Sequence, residues 1–222
     1  LAVWYPVMLK MEGKRCLVCG GGSVAERKIG GLLDAGARVS VVSPELSAGL
    51  RRLFEQGRLD WRQREARPED VAGADYIFAA TGDAETNRLI AATAQSAGVP
   101  INLADDGEAG DFLLPAVVRR GKFVLTASTS GAGPALAARV ARELADKYGP
   151  EYEVYTDKLR QLREMVKSQV PDAADRLAML SAAAEPSFLE DELTSYETGD
   201  LQRWIDQFRR RTRSLPDREE PL

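Results

Sequence analysis

A chain of 222 residues has room for one large domain, or for one α/β domain with a smaller appendage. Its net charge of −4 argues against broad attraction to nucleic acid or an anionic membrane, and no apolar run approaches the ~18–20 residues of a membrane span. Histidine is absent, which excludes a Ser-His-Asp triad, a His-rich zinc site and an imidazole base, so proton transfer near neutral pH falls to carboxylates, Lys, Tyr or Cys.

The opening residues show no basic leader with a long apolar core, and a cytoplasmic protein is the expectation. Arg15–Cys19 reads as a strand that runs into Gly20-Gly21-Gly22. Val24, Ile29, Leu32 and Leu33 then mark one side of a helix, which Gly36 closes. Arg38–Ser43 reads as a second strand, and Pro44 is expected to open a helix with Leu46, Leu50, Leu53 and Phe54 as its stripe, ended by Gly57. Leu59 and Trp61 suggest a short strand, Asp75–Ala80 a strand buried on both faces, Ala84–Ala97 a helix and Val99–Leu103 a further short strand. This alternation predicts an α/β fold, a Rossmann-like doubly wound parallel sheet.

From Phe112 the rhythm changes. Phe112–Val118 and Phe123–Ala127 read as a hairpin with Arg119, Arg120 and Lys122 at a basic tip. Residues 128–134 form a hydroxyl- and glycine-rich loop before a helix carrying Leu136, Val140 and Leu144. The remainder reads as helical, with Leu159, Leu162, Met165 and Val166 on one segment and Leu201, Trp204, Ile205 and Phe208 on a later one, punctuated by Pro171 and Pro186. The last eight residues read as a tail. The expected division is 1–111 for the Rossmann domain, 112–148 for a central segment and 149–222 for a small helical C-terminal domain.

Three clusters carry chemistry. Gly20-x-Gly22-x-x-Ala25 between strand and helix suits a dinucleotide: the first glycine permits the tight turn, the second lets backbone approach a pyrophosphate, and the small third residue lets helix pack on sheet. The acid usual at the end of the second strand is missing, so Glu45, or Ser43 with backbone groups, is the candidate for the ribose; no Arg stands there for a 2′-phosphate, which favours NAD over NADP. Thr81 and Asp83, after the next strand, are also expected to face the cofactor. The second cluster, Asn102 to Asp106, follows a strand end, where open α/β sheets gather ligands. Asp105 and Asp106 are either solvated turn residues or the source of a proton acceptor beside a hydride transfer. The third, Ser128-Thr129-Ser130 with Gly131, Gly133 and Pro134, is either a capped loop or an anion cradle. The pair Cys16 and Cys19 reads as strand: positions three apart face opposite ways, which disfavours a redox or metal CxxC.

Taken together, Tyr5-Pro-Val-Met-Leu, Val18-Cys-Gly-Gly-Gly-Ser-Val-Ala-Glu-Arg-Lys28, Ala35 to Pro44, Ala79-Ala-Thr-Gly-Asp83, Asn102-Leu-Ala-Asp105, Asp111-Phe-Leu-Leu-Pro-Ala116 and Ser128 to Pro134 resemble the precorrin-2 dehydrogenases that also form the first domain of siroheme synthase. The resemblance runs from residue 5 to about 145 and is loose beyond Lys167. It implies NAD-dependent oxidation of precorrin-2 to sirohydrochlorin, in some relatives also insertion of ferrous iron, and a homodimer paired through the central segment. It implies Asp105 as the functional aspartate, Ser23, Val24, Pro44 and Glu45 along the NAD site, and Thr129 where the family carries an anion-binding serine. Asn102, Arg119, Arg120, Ser128, Thr129 and Ser130 are then expected on the side of the tetrapyrrole, a polycarboxylate. No metal-binding residues, nucleic acid or membrane partner are expected, and without a following methyltransferase domain the stand-alone form is. Two other readings stay open: an NAD-sensing regulatory module, and a dehydrogenase of another small substrate such as an α-keto acid.

Overall fold

The computed structural model describes residues 3–184. The expected segment with Leu201, Trp204, Ile205 and Phe208, together with Pro186 and the tail, lies outside the described residues. Five strands form one parallel sheet: β1 (Arg15–Cys19), β2 (Arg38–Val42), β3 (Asp60–Arg62), β4 (Tyr76–Ala79) and β5 (Ile101–Leu103), in the order β3-β2-β1-β4-β5. Crossovers run through α1 (Ser23–Asp34), α2 (Ala48–Glu55), a single 3₁₀ turn (Pro68–Val71) and α3 (Ala84–Ser96). The strand order reverses beside β1, since β2 pairs on one side of it and β4 on the other. In a doubly wound sheet, that reversal opens a crevice at the carboxyl ends of the strands.

A parallel sheet needs both faces covered, so its strands are apolar on both. Cys16, Val18, Val39, Val41 and Phe78 bury against Ile29 and Leu32 of α1 and Leu50 of α2. Leu17, Cys19, Val42, Ile77 and Ile101 bury against Ile90, Ala91 and Ala94 of α3. The two cysteines thus face opposite clusters, as strand geometry requires. Both thiols are free, and burial pushes Cys16 up to about 11 and Cys19 up to about 12. Neither is a thiolate near neutral pH.

Helix α1 ends as Gly36 predicts. Gly36, at φ +78, donates its N–H to the Leu33 carbonyl at 3.0 Å, and Ala37 donates to Leu32 at 3.0 Å. These paired bonds satisfy the last carbonyls of the helix. Helix α2 differs from expectation, because Pro44 does not open it. The helix starts at Ala48, where the Ser47 hydroxyl caps it by accepting the Leu50 N–H, and Ser47 donates its own N–H to the Gly21 carbonyl at 2.8 Å. Pro44 and Glu45 remain irregular and exposed, with the Glu45 carbonyl against Gly21.

Beyond the sheet, β6 (Ala116–Arg120) and β7 (Phe123–Ala127) form the expected antiparallel hairpin, but β6 begins four residues later than predicted. Phe112 packs its ring edge-on against Phe78 and Tyr76, at centroid distances of 5.5 and 6.1 Å, and so belongs to the sheet unit. Arg119 and Arg120 are not the tip: they close β6, and Gly121-Lys122 makes the turn with Gly121 at φ +55. Helices α4 (Pro134–Lys147), α5 (Glu151–Gln169) and α6 (Ala173–Ala182) follow, with Leu162, Val166 and Met179 at the core of the last two. The chain divides into two compact units, residues up to Pro115 with Ser128–Ala137, and Ala116–Ala127 with residues from Ala138 onward. Among the described residues, no helix is long and apolar enough to cross a membrane.

Candidate functional site

A cleft of about 920 Å³ lies at the carboxyl ends of β1, β2 and β4. Gly20, Gly22, Ser43, Pro44, Glu45, Thr81 and Asp83 all line it, so the structure brings together seven of the residues expected to hold a cofactor. Ser23 and Val24 are not among its lining residues: they start α1 with exposed side chains, Val24 at 43% exposure. Sequence reading missed Gly21, Glu65, Ala66 and Thr86, which also line the cleft. Glu65 and Ala66 follow β3, a strand too short and irregular to direct attention to the loop after it.

The three glycines do three different things. Gly20 sits at φ +120, and a Cβ there would collide with the Ala80 carbonyl at the end of β4. A Cβ on Gly21 would collide with the Glu45 carbonyl. At Gly22, nothing lies within 4 Å of where a Cβ would stand. Gly22 is also the N-cap of α1 and supplies no side chain to the free amides of the first turn. Those amides and the positive end of the helix therefore stay available to a phosphate, and the bare Gly22 leaves room for it to come close. The residues present fit a dinucleotide.

On the far side of the cleft, Asp83 caps α3. Its carboxylate accepts the Glu85 and Thr86 amides at 3.2 and 3.0 Å as well as the Thr86 hydroxyl, and that hydroxyl, with the amides, holds it below the usual carboxylate range. Thr81 meets Asn87 of α3, which sequence reading also missed. The Asn87 Oδ1 accepts the Thr81 hydroxyl at 2.7 Å and its amide at 3.2 Å, while Nδ2 donates to Asp105 Oδ2 at 3.1 Å. Asn87 is 1% exposed and shares a helix face with Ile90, Ala91 and Ala94. A polar residue in an apolar register was the signal that could have found it. Asp105 itself is exposed, just past the end of β5. Asp106 accepts the Ala109 amide at 3.2 Å, as a turn residue does.

Asn102 departs from expectation. It is 3% exposed, its Oδ1 accepts the Lys28 ammonium at 2.6 Å, and its Nδ2 donates to the Phe112 carbonyl at 2.8 Å. Its amide is thus committed inside the protein, tying α1, β5 and the segment after Asp111 together, and is not presented to a substrate. Lys28 is half-buried, and burial, with Arg27 nearby, pulls it down to about 8.

The remaining candidates are placed as follows. Thr129 accepts the Gly133 amide at 2.9 Å and Ser128 accepts the Ser130 amide at 3.1 Å, folding the loop in which Ser130 takes φ +53. Arg119 and Arg120 fall in the second unit. The Arg120 guanidinium donates to the Tyr148 and Ala145 carbonyls, both at 3.2 Å, and so closes the end of α4 rather than standing free.

A family model described as NAD(P)-binding matches residues 7–116, the stretch that builds this cleft. The precorrin-2 dehydrogenase of Priestia megaterium is 33% identical over 162 residues, covering 73% of this chain and 80% of that protein. The chain belongs to the precorrin-2 dehydrogenase family. Among solved structures, SirC, a precorrin-2 dehydrogenase, aligns over 93% of this chain and 100% of its own length, at 26% identity and a TM-score of 0.75. Siroheme synthases of Chromobacterium violaceum and Methylobacillus flagellatus are 36% identical over 173 residues and 33% identical over 205. The chain spans only 37% and 38% of their lengths.

Proposed function

We propose that this chain oxidises precorrin-2 to sirohydrochlorin, using NAD⁺ in the cleft between Gly20 and Thr86 and Asp105 as the proton acceptor. The observation that carries the reading is the exposed Asp105 carboxylate at the end of β5, beside the strand whose own end, Ala80 to Asp83, lines the cleft. When bound, NAD⁺ supplies the hydride acceptor. The chain supplies the rest. Amides at the head of α1 would hold the pyrophosphate, Ser43 to Glu45 would hold the adenosine ribose, and Asp105 accepts the proton that the substrate loses.

Elimination leaves carboxylates and tyrosines. Histidine is absent, both thiols are pushed up to 11 or above, and the Lys28 ammonium is already protonated near pH 7 and spent on Asn102. One oxygen of Asp105 accepts from Asn87, and Oδ1 has no partner among the described residues. Replacing Asp105 by Asn should lower kcat for NADH formation from precorrin-2 by about 100-fold or more while NAD⁺ affinity changes little. Wild-type turnover in that variant would overturn the assignment. Tight NAD⁺ binding with no oxidation of precorrin-2 by the unaltered protein would instead favour a regulatory module. Anaerobic incubation with sirohydrochlorin and Fe²⁺, followed by absorbance against a protein-free control, reads whether the protein also inserts iron. The division into a cofactor domain at 1–111, a pairing segment at 112–148 and a C-terminal helical domain at 149–222 belongs to the same proposal. Its homodimer is tested by light scattering.

A further inference from the structure

Asn87 is the one fully buried polar side chain on the sheet-facing side of α3 among the described residues, and its position asks for an explanation. An Ala or Leu would continue the face formed by Ile90, Ala91 and Ala94. A buried amide, by contrast, costs about 1–3 kcal/mol unless each of its groups finds a partner. Here all the partners lie on two loops that emerge side by side from the sheet. Strands β4 and β5 end their pairing at Ala79 and Leu103. Thr81 and Asp105 each stand two residues beyond.

The orientation of the amide follows from its partners. The Thr81 main-chain N–H can only donate, so the atom facing it at 3.2 Å is Oδ1. The group facing Asp105 is then NH₂, which donates to Oδ2 at 3.1 Å and also reaches the Thr81 carbonyl at 3.3 Å. A carboxylate accepts such a bond, whereas a flipped amide would set oxygen against oxygen. We infer that Asn87 is the positioning residue of the reaction: it fixes the Asp105 carboxylate through Oδ2, leaves Oδ1 to the substrate proton, and ties that carboxylate to Thr81 on the wall of the cofactor cleft. The inference rests on the proposed role of Asp105 and adds the group that makes it competent.

Other charged side chains on the surrounding elements are Asp83, Glu85 and Arg88 at the head of α3, Asp106 and Glu108 in the loop of Asp105, and Lys28 reaching β5 from α1. Among the described residues, none of them bonds to Asp105. The variants that test it are Asn87→Leu, Asn87→Ala and Asn87→Asp in the full chain. Asn87→Leu should fold, because it extends an apolar face. It should lower kcat by about 10- to 100-fold, the cost of a misplaced reacting group, while KM for precorrin-2 changes little. Asn87→Asp should behave differently. With one proton shared between residues 87 and 105, it should keep activity in mild acid and lose it as the pH rises and two carboxylates come to face each other. In an Asp105→Ala background, Asn87→Ala should cost no further turnover.

Wild-type kcat in Asn87→Leu together with a wild-type pH profile in Asn87→Asp would overturn the inference, as would a full additional loss in the Asp105→Ala background. Carbon-detected NMR of the Asp105 carboxyl separates this inference from the reading beneath it. Its chemical shift at neutral pH should change in Asn87→Leu whether or not Asp105 is the proton acceptor, because the bond to Oδ2 is lost, and an unchanged shift counts against Asn87. Unimpaired turnover in Asp105→Ala counts against the reading alone.

Discussion

Lys28 crosses from α1 to the end of β5 and donates to a neutral amide, Asn102 Oδ1, at 2.6 Å. No carboxylate pairs with it among the described residues, so burial works against its charge without an opposing ion, and its pKa falls from 10.5 to about 8. The sign of the linkage follows. Below pH 8 both folded and unfolded chains hold the proton, and the folded state carries the whole cost of the half-buried ammonium. Between about 8 and 10.5 the folded state releases the proton first, so stability rises with pH across that window and gains nothing further above it. Lys28→Met should remove this rise. Urea unfolding of the two proteins from pH 7 to 10.5 reads it as a converging or diverging pair of curves; parallel curves would show that Lys28 is not the titrating group. The same residue explains why Asn102 was misread. Its place at a strand end resembles that of a ligand contact, but nothing in the local sequence says that a lysine 74 positions earlier will claim its oxygen.

At the scale of the element, the turn from β1 to α1 separates glycines that hold the fold from a glycine that admits a ligand. Gly21→Ala places a methyl against the Glu45 carbonyl, which is backbone and pinned by the neighbouring Ser47–Gly21 bond. We expect it to destabilise the protein by about 1–3 kcal/mol. Gly22→Ala meets nothing within 4 Å, so its melting temperature should stay near wild type while NAD⁺ affinity falls by about 10-fold, roughly 1.4 kcal/mol. Differential scanning fluorimetry and a NAD⁺ titration on both variants check the contrast, and equal loss of stability in the two would defeat it. The strand–Gly–helix grammar of this turn was legible because its φ and packing demands are local. The start of α2 was not. Pro44 is a good first helical residue in isolation, yet the carbonyl of Glu45 lies against Gly21 and the cap falls to Ser47, contacts set by a turn far earlier in the chain. The hairpin was legible as a hairpin, while its start was hidden because Phe112 found aromatic partners on β4.

For the whole molecule, the absence of histidine governs how stability responds to pH. The carboxylates that gain most from folding lie on the acid side. Hydrogen bonding to Arg64, with further help from the Arg67 amide and Arg62, lowers Asp70, and pairing with Arg15 brings Asp75 down to about 2. A carboxylate lowered on folding stabilises the native state above its unfolded value, here 3.8, and that contribution is lost as pH falls through the folded one. On the alkaline side, Lys28 begins to titrate only near 8. Folding free energy should therefore be level, within about 0.5 kcal/mol, from pH 5 to 7, where most proteins would titrate a histidine. Asp70 offers the test of the acid edge. Its side chain is 3% exposed and ties together Arg62, at 3.1 Å, and Arg64, which are themselves partly open to water. Asp70→Asn keeps the shape but removes the charge, and because the arginines stay solvated we expect a loss of about 1–2 kcal/mol rather than the larger cost of stranding a buried ion. The gap between wild type and Asp70→Asn in urea unfolding should be constant from pH 5 to 7 and close below 3.8, as wild-type Asp70 takes up the proton that Asn cannot. A gap that persists unchanged to pH 2 would place the acid edge on other groups, and a step in the wild-type curve near pH 6 would refute the plateau itself.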